Sequence, residues 1–67
     1  MNDTITQTRL AMRLDGYKSE YERKHVRKEN TSCEEWNTAW KAADVARTHM
    51  RLTPELVDDV RQALKKL

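Results

Sequence analysis

Phenylalanine is absent from this chain, and cysteine, glycine and proline occur once each. Each scarcity excludes something. With Cys33 alone, no disulfide can form within the chain, a composition that suits a reducing cytoplasm. Gly16 and Pro54 are too few turn formers for an all-β fold. No apolar run approaches the length of a signal-peptide core or a membrane span, which places the protein in the cytoplasm with no membrane partner. Charge of one sign is also scarce in excess: 13 basic against 11 acidic residues leave a formal net charge of +2. A dedicated nucleic-acid binder carries a clearer surplus.

What remains is a helical composition. The 67 residues suffice for one domain, residues 1–67, and 37% apolar against 36% charged residues is the balance of a small bundle rather than of a disordered chain. A domain of this size buries only about 60% of the surface its unfolded chain exposes. Cores this thin are often completed by a metal or by a second copy of the chain.

The first helix is expected over about residues 4–28. Asn2, Asp3 and Thr4 are good N-caps, and Leu10, Leu14, Tyr17 and Tyr21 follow at helical spacing, with Ile5 and Met12 widening the stripe. Gly16 keeps the stripe in phase, so one helix is expected, with a break there as the alternative. The second helix is expected over about 33–49. Thr31 with Glu34, and Ser32 with Glu35, both fit a capping box. Cys33, Trp36, Trp40, Ala43 and Met50 recur on one face, and Ala39, Ala42 and Ala46 offer a flat side for close packing. Tryptophans four residues apart are stacked neighbours on a helix, so Trp36 and Trp40 form one broad apolar plate.

The third helix is expected over about 54–66. Thr53 is its N-cap, Pro54 its first residue and Glu55 an acid in its first turn. Leu52 and Val57 are spaced for a hydrophobic staple. Leu56, Val60, Ala63 or Leu64, and Leu67 are expected as its buried face. Short connections imply antiparallel neighbours. The expected fold is all-α, a small three-helix bundle or a helical hairpin with a third C-terminal helix across it. Apolar stripes on every helix of so short a chain also suggest a symmetric homodimer.

Chemistry is sparse. Cys33 as a nucleophile needs a base, His25 or His49, and a third group to orient it; at a helix start on the apolar face, cysteine is more often a small buried hydrophobe. His25, Cys33 and His49 lack the paired short spacings and the fourth ligand of a zinc site. No glycine-rich phosphate loop or paired-carboxylate motif stands out. Neither an enzyme nor a cofactor is therefore expected.

The densest charge lies in Arg23, Lys24, Arg27 and Lys28, on two adjacent sides of a helix end, where they could reach phosphates or an acidic protein face. The plainer role for such cations is to offset the helix dipole, with Glu20 pairing Lys24. Arg9, Arg13, Arg47 and Arg51 are secondary candidates. A helix-turn-helix role for the third helix is disfavoured by Asp58 and Asp59, which phosphates would repel.

Gly16-Tyr17, a polar loop, and then Trp36 to Ala43 (WNTAWKAA) resemble, over residues 16–46, the pattern of the ribosome modulation factor family. Gly16 and Tyr17 match its first helix, and Trp36, Trp40, Lys41 and Ala43 match its second-helix motif. The resemblance implies two helices joined by a loop, and binding to the RNA of the small ribosomal subunit to pair ribosomes in hibernation. Short tryptophan- and alanine-rich helices of this kind are similar to those of small bacteriophage proteins as well. Two functions are thus expected in competition: a small regulatory or inhibitor protein of a mobile element that docks on a larger protein, and a ribosome modulation factor-like binder of ribosomal RNA.

Overall fold

The computed structural model describes residues 3–27 and 33–67, without the side chains of Asp3, Val26 and Arg27. Three helices make up the fold: α1 (Asp3–Arg27), α2 (Glu34–Thr48) and α3 (Pro54–Lys65). Each bound lies within about a residue of the expectation from the sequence. The 25 residues of α1 span about 37 Å at the usual helical rise, which accounts for the 44 Å long axis of a molecule only 17 × 16 Å across. The helix runs unbroken through Gly16, which is exposed with nothing near the place a Cβ would take. That residue weakens α1 only through its backbone freedom.

Cross-contacts set the directions. Gln7 meets Leu52, Asp15 meets Arg47, Tyr21 meets Trp36 and His25 meets Cys33, so α1 and α2 run antiparallel. Lys66 reaches back to Glu35 at 3.1 Å, so α3 is antiparallel to α2. The two antiparallel pairings make this a three-helix bundle. The backbone of α3 comes close to both other helices, whereas α1 and α2 meet chiefly through their side chains. Residue size accounts for the difference. Tyr21 and Trp36 stand between α1 and α2, while Ala39, Ala43, Ala46 and Ala63 let α2 and α3 approach.

The core is one cluster of Leu10, Leu14, Trp36, Ala43, Leu52, Val57, Val60, Ala63 and Leu64. Leu14, Val57 and Val60 are fully buried, each worth about 1.5–3 kcal/mol over leaving it in water. Tyr17, Tyr21 and Trp40, expected in the core, are half-buried against its edge. Ile5, Met12, Val45 and Met50 are the large apolar side chains that stay more than half exposed among the described residues.

Several expectations are corrected. Leu56 is only half-buried and lies outside the cluster; Val57 takes the inward position. The start of α3 decides this. Thr53 caps it, its hydroxyl accepting from Leu56 N–H at 3.2 Å, and Leu52 and Val57, spaced for a staple, are both buried in the core cluster. Only this first position of the face differs, since Val60, Ala63 and Leu64 are buried as expected. Ile5 and Met12 do not widen the buried stripe of α1 but are 53% and 67% exposed. Thr31 and Ser32 lie outside the described residues. The cap position of α2 is Cys33, whose side chain makes no capping bond.

Met50 is likewise not on the core face. It follows the end of α2 with a positive φ of 54° and is 53% exposed. Arg51 N–H donates to Ala46 O at 2.7 Å and Met50 N–H to Arg47 O at 3.0 Å. This is the Schellman arrangement, with methionine in the left-handed position that glycine usually holds. A Cβ there costs about 1–2 kcal/mol.

Two predictions follow from this packing. Trp36→Ala should cost about 3–5 kcal/mol, and Trp40→Ala clearly less because Trp40 is half-exposed; urea unfolding of both variants measures the order. Met50→Gly should raise stability by about 1 kcal/mol through release of the left-handed strain, seen as a higher denaturation midpoint at an unchanged slope.

Candidate functional site: an aromatic ladder and the charged surface around it

The antiparallel pairing of α1 and α2 stacks four rings in sequence. His25 lies 5.2 Å from Tyr21, Tyr21 lies 4.3 Å from Trp36 at an interplanar angle of 3°, and Trp36 lies 5.7 Å from Trp40. Lys18 Nζ caps the ladder, 5.3 Å from the Trp40 ring, within the range of a cation–π contact. Helical spacing supplies half of this order, since Tyr21 and His25, like Trp36 and Trp40, are four residues apart. The Tyr21–Trp36 contact is tertiary. The ladder is a structural spine, with Trp36 only 4% exposed.

At its His25 end lies the densest group of reactive side chains. Cys33 Sγ is 2.9 Å from His25 Nδ1. Tyr21 is pushed up to about 12, first by its hydrogen bond to Cys33 and then by burial and the negative charge that Cys33 can carry. A raised value means that the phenol keeps its proton and donates it toward the sulfur. Cys33 and His25, weighed from sequence as nucleophile and base, are thus brought together. His49 is not. It is exposed at the far end of α2, and among the described residues no three His, Cys, Asp or Glu side chains are grouped as a metal would need.

The cationic candidates fare unevenly. Arg23 is exposed, and Lys24 Nζ holds Glu20 at 3.3 Å across one turn of α1. The Arg27 side chain and Lys28 lie outside the described residues. Arg9 is exposed, whereas Arg13 donates to the Tyr17 hydroxyl at 3.3 Å. Arg47 bridges the helices, 3.1 Å from Asp15 and 3.4 Å from Asp44. Arg51 is exposed in the turn before α3. Among the described cations, Lys24, Arg13 and Arg47 are thus held by groups of the chain itself, and Arg9, Arg23 and Arg51 are exposed. Gly16, Tyr17, Trp36, Trp40, Lys41 and Ala43, which carry the family resemblance, fall on the antiparallel pair α1 and α2.

Two features were not legible in the sequence. The Gln7 amide pairs with the backbone of Leu52, donating to its carbonyl at 2.9 Å and accepting from its N–H at 2.8 Å; nothing local marks one glutamine out for this. The second is a groove of about 590 Å³ between α2 and α3, floored by Ala39, Ala42 and Ala63 and edged by Glu34, Glu35 and Asp59. The alanine spacing on α2 hinted at it.

In comparisons with family models, curated proteins and solved structures, nothing matches the chain.

The raised Tyr21 value carries a pH dependence. In the unfolded chain the phenol titrates at 10.0 and in the folded protein at about 12. The protonated form therefore contributes stability that is complete below pH 10 and is lost as pH climbs through 12. In a Tyr17→Phe background, ultraviolet titration should give a single phenol with a midpoint near 12, and adding Cys33→Ala should move it down toward 10.

Proposed function

We propose that this is a small non-enzymatic regulatory or inhibitor protein of a mobile element such as a bacteriophage, acting in the cytoplasm by docking on a larger protein. The observation that carries this reading is the charge balance of the chain, 13 basic against 11 acidic residues, with several of the cations held by the chain's own groups. Lys24, Arg47 and Lys66 each lie against a carboxylate, Lys18 lies over Trp40, and Arg13 reaches a phenol. A protein built to hold RNA presents its cations outward, because affinity comes from counterions released as they neutralise phosphates. A net charge of only +2 is too small a surplus for general affinity to a phosphate backbone.

The ribosome modulation factor-like reading keeps one point in its favour: the tryptophans and Lys41 of its motif share α2. In that reading Arg23, Lys24, Arg27 and Lys28 contact ribosomal RNA. In the preferred reading they only steer association onto an acidic protein surface, which affects the on-rate more than the off-rate.

The test is capture from bacterial lysate with and without nuclease, together with direct binding to purified small ribosomal subunits. A protein partner retained after nuclease treatment, with affinity that falls with salt far less steeply than phosphate binding does, is expected. Salt-steep binding to the subunit, with a slope that falls by close to one contact for each of the four cations replaced by serine, would install the RNA reading instead.

A further inference from the structure

We infer that the groove between α2 and α3 is the docking site for a basic amphipathic helix of a partner protein. This rests on the docking reading above and names the chemistry of the partner. Three observations converge on it.

The first is position. Among the described residues the groove is lined by α2 and α3 only, on the side that α1 does not cover. A helix laid there would complete a four-helix arrangement, and an amphipathic helix in a groove between helices is a recurring mode of recognition.

The second is the floor. Ala39, Ala42 and Ala63 have methyl side chains, so they let a helix backbone approach closely and leave room for its larger apolar residues. Around 590 Å³ of open volume is available between the rims.

The third is charge. Glu34 and Glu35 stand on one rim and Asp59 on the other, and Lys66 is the one cation among the lining residues. It is held by Glu35 in an ion pair whose side chains are 68% and 65% exposed. Such an exposed pair is weak, so Lys66 can swing aside without disturbing the fold. In a chain of net positive charge this acidity is local. It selects lysine or arginine flanking the apolar ridge of the incoming helix and repels acidic helices and nucleic acid.

The probe is a labelled synthetic helical peptide as long as α3, with an alanine–leucine ridge flanked by lysines, and a counterpart carrying glutamates in their place. Fluorescence anisotropy with the full chain should show saturable binding of the lysine peptide, at least about tenfold tighter than the glutamate peptide. Ala42→Arg fills the exposed floor with a good helix former, so it should abolish binding while leaving circular dichroism unchanged. The pair Glu34→Gln and Asp59→Asn should weaken it several-fold with the fold intact.

Equal binding of both peptides, or binding indifferent to Ala42→Arg, would overturn the assignment. So would sedimentation showing a homodimer that Ala42→Arg dissolves, because the occupant would then be a second copy. The two levels of the reading separate cleanly. If A42R still captures the nuclease-resistant partner, the docking reading stands and the groove falls. If no protein is captured by either form while ribosomal subunits bind, the docking reading itself fails.

Discussion

The contact between Tyr21 and Trp36 is the constraint on which the rest of this bundle depends. Their rings lie 4.3 Å apart and almost parallel, joining the C-terminal half of α1 to the first turn of α2. Aromatic pairs contribute about 0.5–1.5 kcal/mol beyond the area they bury, a large share for a chain with so small a core. Because the two rings occupy the space between α1 and α2, those helices meet through long side chains. The alanines of α2 are then turned to α3, which closes the core from a third side.

The two ends of the molecule are held differently. At the end where α1 begins, the Gln7 amide satisfies both backbone groups of Leu52, and Leu52 itself is buried in the same core cluster as Val57. A polar clamp thus fixes an apolar staple. These hydrogen bonds are part-buried, so each is worth about 0.5–1.5 kcal/mol net. At the other end the ladder terminates in His25 and Cys33. The Arg47 bridge to Asp15 lies between them, well exposed, and orients the helices more than it stabilises them.

Trp36, the buried rung of the spine, is enclosed by the bundle itself, and Lys24, Arg47 and Lys66 each lie against a carboxylate of the same chain. Its open feature is a shallow alanine-floored groove with an acidic rim, a surface suited to another helix. Small size points the same way, since a domain that buries only about 60% of its unfolded surface gains proportionately from a partner that covers more.

How much of this was written in the sequence depends on the range of the interaction. Helix number, helix limits and the cap of α3 were legible because N-caps, Pro at the first helical position and i, i+4 spacing are local effects. So were Leu10, Leu14, Trp36, Ala43, Val60 and Leu64 as core, each buried as its periodicity requires. The choice between Leu56 and Val57 was not settled by periodicity: the two are equally apolar neighbours, and the staple spacing of Leu52 and Val57 was the signal for the one that is buried. Met50 continued the pattern of α2 on paper but fell beyond the helix end, where backbone closure overrode periodicity. The approach of Cys33 to His25, the Gln7 clamp and the groove all join residues distant in sequence. Their existence depends on how the helices are set against one another, and that was decided by the volume of two aromatic rings on one side and of a row of alanines on the other.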